Sequence, residues 1–164
     1  MTQSLPPKSI VLYADDDPDD LQLVEDAFAQ YANNVEVVAV TDGAEALAFL
    51  DQLPPLAPLP CLIILDVNMP RINGKETLLR IKATERFKDI PVILFTTSSL
   101  PHDRAFAQKH EAGFITKPLE MRQMEMIADQ FIEHCAEEVK KKIRRQLRWF
   151  CFLHVRGFSF FTIV

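Results

Sequence analysis

Two short apolar segments of the chain end in aspartate. The segment IVLYA at 10–14 is followed by Asp15 and Asp16, and the segment LIIL at 62–65 is followed by Asp66. Apolar segments without polar alternation are typical of strands that are buried on both faces of a parallel sheet. Ligands of such sheets bind outside the carboxyl ends of the strands, so the sequence predicts that these carboxylates share one functional edge.

Two other apolar segments end in residues that can bind anions. Thr96 follows VILF at 92–95, and Lys117 follows GFIT at 113–116. A carboxylate can attack phosphorus to form an acyl phosphate, and adjacent acids can bind Mg²⁺, which relieves their repulsion. A hydroxyl and an ammonium can bind phosphoryl oxygens. The set therefore favours phosphoryl transfer, although Asp66 alone could simply end a strand and Lys117 alone could be a surface lysine.

The intervening segments have the apolar spacing of helices. Asp17 and Pro18 supply a cap and a first turn, and apolar residues then recur at three and four positions, namely Leu21, Val24, Ala27, Phe28 and Tyr31. We interpret Asp17, Asp19 and Asp20 as capping or solvated charges. Residues 53–60 (LPPLAPLP) can form neither regular element and predict a stiff connector. Five alternations of strand and helix predict an α/β fold with a doubly wound parallel sheet.

The composition is that of a folded, acidic domain. The 164 residues are 48% hydrophobic and carry a formal net charge of −5. Residues 1–139 hold 23 acids against 11 bases, a balance of −12, so we expect no direct binding to nucleic acid. We expect neither a signal peptide nor a membrane span. Cys61, Cys135 and Cys151 are far apart in sequence and lack metal-ligand spacing, which favours reduced thiols in a cytoplasmic protein.

Four motifs, taken in order, resemble the receiver domain of two-component response regulators, the CheY-like family. They are YADDDP at 13–18, LDVNMPRINGKE at 65–76, PVILFTTS at 91–98 and GFITKP at 113–118. The resemblance covers roughly residues 8 to 135. It implies a flavodoxin-like fold, with a five-stranded parallel sheet in the order 2-1-3-4-5 and helices on both faces. It also implies a stand-alone phosphorylation switch in the cytoplasm.

The same resemblance assigns roles to the acids. It makes Asp66 the phosphoacceptor, Asp16 the principal metal carboxylate and Asp15 its assistant. The implied cofactor is Mg²⁺, bound also by Asp66 and by the backbone carbonyl of Asn68.

The resemblance gives the remaining motif residues roles in catalysis and switching. Lys117 would pair with the phosphoryl group, and Thr96 and Phe114 would form the switch pair that reorients on phosphorylation. Phe114 stands where the family often has tyrosine, so a hydroxyl contact in the active state would be lost while ring rotation would remain. The proline-rich connector is similar to that of receivers that work with phytochrome-type and other hybrid kinases.

The implied partners are proteins. A sensor histidine kinase or phosphotransfer protein would donate the phosphoryl group, and a downstream protein would bind the surface formed by the fourth helix, fifth strand and fifth helix. A homodimer is a further expectation. Because the chemistry is directed at the chain itself, we expect no turnover of an external substrate.

Two other functions stay open at this stage. One is a Mg²⁺-dependent phosphatase with an aspartyl intermediate, although such enzymes have a second acid two residues after the nucleophile and this chain has Asn68 there. The other is a scaffold that keeps the receiver shape and is never phosphorylated.

The C-terminal part of the chain is basic and then apolar. We divide the chain into a leader at 1–7, a receiver domain at 8–136 and an extension at 137–164. Residues 119–156 contain neither glycine nor proline, so the last helix could run past the domain. The apolar residues 149–164 could form a dimer or partner surface, a membrane-surface anchor or a non-native extension. We expect no DNA-binding domain, because too few residues follow the receiver.

Overall fold

A computed structural model of the chain describes residues 8–98, 100–119, 123 and 126–143. Five strands form one sheet, namely β1 (Ser9–Ala14), β2 (Val35–Val40), β3 (Leu62–Asp66), β4 (Val92–Thr96) and β5 (Gly113–Thr116). All neighbouring strands are parallel. The strand order is β2-β1-β3-β4-β5, which confirms the predicted doubly wound sheet.

Helices connect the strands and lie on both faces of the sheet. They are α1 (Pro18–Phe28), α2 (Gly43–Gln52), α3 (Gly74–Ala83), α4 (Pro101–Lys109) and α5 (Ile127–Glu133), with a short 3-10 helix at Ala29–Tyr31. Local sequence explains several of the starts: the side chains of Asp17, Asp42 and Asn73 each accept a hydrogen bond from a backbone N–H in the first turn of α1, α2 and α3. These three helices therefore begin at the carboxyl edge of the sheet with their polar caps in place.

The strand side chains alternate between two separate cores. On one face, Val11, Tyr13 and Ile64 pack with α1 and α5. On the other face, Leu12 and Leu65 pack with α2, α3 and α4. Every residue of β3 and β4 is buried, and this explains why their sequences show continuous apolar runs without alternation.

The proline-rich connector has no regular structure, as predicted. Its first part is held by Arg86, whose Nη1 donates to the carbonyl oxygen of Leu53 at 2.8 Å. Leu56 is almost fully exposed.

The expectation of an uninterrupted last helix is wrong. Helix α5 ends at Glu133, residues 134–136 are not helical, and residues 137–143 are helical again. The turn lets Cys135 and Ile143 join the core beneath α1 and α5, where both are buried. Tertiary packing thus overrides a local sequence that contains no helix breaker. The domain boundary after residue 136 stays a prediction, and residues 144–164, with their apolar tail, lie outside the described residues.

Within the described part of the chain, no helix combines the length and apolar character needed to cross a membrane.

Candidate functional site

The ammonium of Lys117 lies among three carboxylates at the carboxyl edge of the sheet. Its Nζ is 2.7 Å from Asp15 Oδ2, 2.7 Å from Asp20 Oδ2 and 2.9 Å from Asp66 Oδ1. The side chain of Lys117 is only 9% exposed, and those of Asp15 and Asp66 are 1% and 8% exposed. Residues from β1, α1, β3 and the end of β5 therefore form one charged, largely buried cluster.

The strand register places these residues. Ala14 of β1 lies opposite Leu65 of β3, so the next residues, Asp15 and Asp66, lie side by side at the carboxyl edge of the sheet. Thr96 lies opposite Thr116, which brings Lys117 to the same edge one residue later. The backbone N–H of Lys117 donates to the carbonyl oxygen of Thr96 at 2.8 Å, and this hydrogen bond fixes the backbone from which the lysine side chain extends to the acids.

Asp15 is the most buried acid of the cluster. It accepts hydrogen bonds from the hydroxyl of Tyr13, from Lys117 and from the backbone N–H of Asp17 at 3.1 Å. Burial raises the pKa of Asp15 above its ordinary value, and the contacts with Lys117 and Tyr13 oppose that shift. Burial and the neighbouring Asp15 raise the pKa of Tyr13, so its phenol remains a hydrogen-bond donor.

Lys117 is held in its charged form by the acids. Burial alone would lower the pKa of this lysine, but its hydrogen bonds to Asp15, Asp20 and Asp66 raise the pKa above the ordinary value of 10.5. A buried cation with three anionic partners is fixed in position, and it supplies positive charge beside Asp66 before any ligand arrives.

Both carboxylate oxygens of Asp66 have partners. Oδ1 faces Lys117, and Oδ2 accepts a hydrogen bond from the backbone N–H of Asn68 at 2.6 Å. The loop after β3 is tight: Arg71 adopts a positive φ of 61°, and the N–H of Gly74 donates to the carbonyl oxygen of Val67 at 3.2 Å. A Cβ at position 74 would overlap the backbone carbonyl of Asp66, so glycine is required for α3 to start so close to β3.

Four other predicted site residues lie around the cluster without joining it. Asp16 and Asn68 are exposed at the edge. The hydroxyl of Thr96 is fully buried and accepts a hydrogen bond from the backbone N–H of Ser98 at 3.1 Å, so it is engaged within its own loop. Phe114 is half-buried, and the guanidinium carbon of Arg104 lies 4.9 Å from its ring centroid.

The sequence analysis missed two members of the cluster. Asp20 was interpreted as a solvated charge, and this is wrong: it lies in the first turn of α1 and contacts Lys117. Asp17 does cap α1, as expected. Tyr13 was treated as a core residue only. Its position two residues before Asp15 was a usable signal, because residues i and i+2 of a strand point to the same side.

A second polar network lies nearby, between α3 and α4. The ammonium of Lys75 pairs with Asp103, which also accepts a hydrogen bond from the hydroxyl of Ser98 at 2.7 Å. These hydrogen bonds lower the pKa of Asp103 below its ordinary value of 3.8. The network ties the loop after β4 to the start of α3.

The charge of the Lys117 cluster suits a divalent cation. Three carboxylates around one ammonium leave two negative charges, with the exposed Asp16 close by in sequence. The donors are all oxygens, the ligand type that Mg²⁺ prefers. In the described residues no group of three or more His, Cys, Asp or Glu side chains is clustered tightly enough to hold an ion. The acids are instead grouped around the lysine.

Comparison with known proteins identifies many similar chains. The family model for the response regulator receiver domain matches residues 11–129. Response regulator Rcp1 from Synechocystis sp. is 34% identical over 125 residues, which cover 74% of this chain and 84% of Rcp1. The probable methanogenesis regulatory protein FilR2 from Methanothrix harundinacea is 29% identical and covers 76% of this chain and 82% of FilR2.

Solved structures show the same likeness. The phosphorylated cyanobacterial phytochrome response regulator RcpA has a TM-score of 0.70 and 32% identity, with 77% of this chain and 93% of RcpA covered. The Mn²⁺-bound form of response regulator Rcp1 has a TM-score of 0.67 and 30% identity, with 76% and 91% covered.

Proposed function

The chain belongs to the response regulator receiver domain family, and on that premise we propose that it is a phosphorylation switch whose phosphoacceptor is Asp66. The phosphoryl donor would be the phosphohistidine of a sensor histidine kinase or of a phosphotransfer protein. Phosphorylation would change the affinity of the domain for a downstream protein.

One observation carries this proposal: the ammonium of Lys117 lies 2.9 Å from Oδ1 of Asp66 within a largely buried cluster of acids. A carboxylate nucleophile needs positive charge nearby to bind the phosphoryl oxygens and to balance the charge that develops as phosphorus is transferred. If Asp66 only ended a strand, its carboxylate would not require a buried lysine that follows β5, a strand separated from β3 by β4.

The residues of the chain suggest how transfer would proceed. The backbone N–H of Asn68 fixes one oxygen of Asp66 and orients the other toward the edge of the sheet. That oxygen attacks phosphorus, the bond from phosphorus to the donor nitrogen breaks, and the electron pair leaves with the donor imidazole. Lys117 then gains the phosphoryl oxygens as partners in place of part of its contact with Asp66.

The switch itself would use Thr96 and Phe114. The Thr96 hydroxyl must leave the N–H of Ser98 to reach a phosphoryl oxygen, which would shift the loop after β4. The ring of Phe114, which now lies beneath Arg104 of α4, would move away from it as the shift of this loop displaces α4. We describe this as a population shift between two conformations, in which phosphorylation favours the second.

Mg²⁺ would be held by Asp15, Asp16, Asp66 and the backbone carbonyl of Asn68. When bound, the ion would neutralise charge on the transferring group. The two excess negative charges of the cluster and its all-oxygen donors support this assignment, as does the Mn²⁺-bound form of the related Rcp1.

The kinase is proposed to be of the phytochrome type. This rests on the similarity to a phytochrome response regulator, RcpA, and on the proline-rich connector at 53–60. The downstream protein is proposed to bind the face formed by α4, β5 and α5, in the cytoplasm, and a homodimer is part of the same expectation.

Intact-mass measurement after incubation with acetyl phosphate and Mg²⁺ tests the proposed phosphoacceptor. We expect the wild type to gain one phosphoryl group that is released by hydroxylamine, and Asp66→Asn to gain none. Asp19→Asn, an exposed acid on α1, is the matched control and should be labelled like the wild type.

The alternatives give different results in the same assay. An unmodified wild type, with Mg²⁺ present and the fold intact, would indicate a non-phosphorylated scaffold. Sustained release of inorganic phosphate from small phosphomonoesters would indicate a phosphatase. Labelling of Asp66→Asn at the wild-type level would show that another residue is the acceptor.

A further inference from the structure

Cys61 and Cys135 meet at the edge of the sheet opposite the Lys117 cluster. Cys61 immediately precedes β3, and Cys135 lies in the turn after α5. Although 74 positions separate them in the chain, their sulfur atoms are 4.0 Å apart. The sequence analysis noted that the cysteines are far apart in the chain and expected reduced thiols, but it did not predict that two of them would lie side by side.

The sulfur atoms are close to bonding distance. A disulfide requires an S–S distance of about 2.05 Å. Both thiols are free, and the remaining gap of about 2 Å would be closed by rotation of the side chains about their Cα–Cβ bonds together with movement of the turn at Cys135. The backbone of Cys61 is fixed by its N–H, which donates to the carbonyl oxygen of Ile10 at 2.8 Å, so closure would fall on the side chains and the turn at Cys135.

The two thiols differ in the way that stepwise oxidation requires. Cys61 is partly exposed, whereas Cys135 is 5% exposed. The Cys135 thiol donates to the Cys61 sulfur, and this hydrogen bond lowers the pKa of Cys61, with a smaller contribution from the charge of Lys142. The same contact and burial raise the pKa of Cys135. Cys61 is therefore the accessible nucleophile and Cys135 the protected partner.

We propose that Cys61 and Cys135 are a redox-active pair. They form a disulfide with each other by exchange with a low-molecular-weight disulfide such as oxidised glutathione, which is the oxidant. The Cys61 thiolate attacks one sulfur of the small disulfide, whose S–S bond breaks and releases one thiolate. Cys135 then loses its proton to solvent, and its sulfur attacks the Cys61 sulfur and displaces the second small thiolate. Both cysteines are oxidised, and one small disulfide is reduced to two thiols.

The bond would join the start of β3 to the turn between α5 and residues 137–143. It would close a loop across most of the domain, which restricts the unfolded chain and raises stability. The oxidised form should therefore unfold at a higher temperature than the reduced form. The Lys117 cluster lies at the other end of β3, about 17 Å away at roughly 3.3 Å per residue, so the pair is independent of the proposed phosphoacceptor.

The test uses the full chain carrying Cys151→Ser, so that only this pair can react. The protein is incubated with oxidised glutathione and analysed by intact mass and by peptide mapping without reduction. We expect a monomer that loses two hydrogens, a peptide linked through Cys61 and Cys135, and a higher Tm. Adding Cys135→Ser should stop the reaction at a mixed disulfide on Cys61. Adding Cys61→Ser should abolish the linked peptide and slow glutathionylation of Cys135 on the order of tenfold or more.

Three results would overturn the proposal. They are an unreacted parent protein, a parent that accumulates only mixed disulfides, and a parent linked only between chains. Because these measurements are made on the protein with both cysteines present, they stand even where a serine variant folds poorly. Phosphoryl labelling plays no part in the readout, so failure here leaves the proposed function untouched.

Discussion

The two ends of β3 differ in what surrounds them. At the carboxyl end, Asp66 is held by a buried ammonium, a backbone N–H and the close approach of Gly74. At the amino end, the sulfur of Cys61 lies 4.0 Å from that of Cys135, and the side chain packs against the apolar core beneath α1 and α5. Fixed charges and backbone contacts surround the carboxyl end of β3, whereas side chains that can change their torsion angles surround its amino end.

This difference follows from the topology of a parallel sheet. Loops that follow the strands lead into helix starts, so the carboxyl edge collects free backbone N–H groups and polar caps. The amino edge receives chain from helix ends, and here Cys61 and Cys135 lie at the apolar core, with His134 beside the start of β5. We therefore expect substitutions at the carboxyl edge to lower the free energy of unfolding more than comparable substitutions at the amino edge.

The largest effect on stability should come from Lys117→Met. This change keeps the length of the side chain but leaves Asp15, Asp20 and Asp66 without their cation, and breaking a buried pair typically costs about 3–5 kcal/mol. Urea unfolding at neutral pH measures the loss. The double variant Lys117→Met/Asp66→Asn should recover part of it, since one uncompensated charge is removed. A single variant as stable as the wild type would contradict the charge balance described for the cluster.

Gly74→Ala should have the next largest effect, about 3 kcal/mol. The added methyl group would overlap the backbone carbonyl of Asp66, and neither the strand nor the start of α3 can move independently. Denaturant unfolding gives the change in stability, and labelling with acetyl phosphate should fall as well because the acceptor itself is displaced. If stability and labelling were both unchanged, the backbone at the carboxyl edge would be able to move and accommodate the methyl group, contrary to this prediction.

Gly113→Ala is the matched change at the amino edge, and its effect should be smaller, about 1–2 kcal/mol. A Cβ there would lie 2.7 Å from Cε1 of His134 and 3.0 Å from Cγ1 of Ile93, both of them side-chain atoms that can shift. Adding His134→Ala should restore stability, which thermal or urea unfolding can show. A cost equal to that of Gly74→Ala would remove the proposed contrast between the edges.

The smallest effect, about 1 kcal/mol, should come from Lys75→Met, because this ammonium is partly solvated. Its partner Asp103 has a pKa below 3.8 in the folded state. The carboxylate therefore stabilises the fold at pH values above 3.8, and this stabilisation is lost as the pH falls through the lower folded pKa. The stability difference between wild type and variant should be full above about pH 5 and vanish in stronger acid. Lys109→Met, at an exposed position of α4, should show no such pH dependence.

The fold was predictable because its strands are unambiguous. β3 and β4 are buried along their whole length, so their sequences are uninterrupted apolar runs. The cap at Asp17 also lies where the sequence indicates. The interruption at residues 134–136 could not be predicted, since it arises from the burial of Ile143 and Cys135 in a core built by distant segments.

The candidate site was predictable to the extent that it follows strands. Asp66 is the last residue of a strand, Asp15 and Lys117 each come directly after one, and the register brings them together. Asp20 lies inside a helix among other acids, and only the position of α1 relative to Lys117 distinguishes it from Asp19. The pairing of Cys61 with Cys135 depends on a contact across 74 positions, for which a single sequence carries no local signal.

Because strand side chains alternate between the two faces, the sheet separates two hydrophobic cores. Ile64 and Leu65 are neighbours in the chain, yet each belongs to a different core. Truncations on opposite sides of the sheet should therefore combine almost additively, because they share few neighbours. Each core can be redesigned without rebuilding the other, and sequence proximity is a poor guide to which residues must change together.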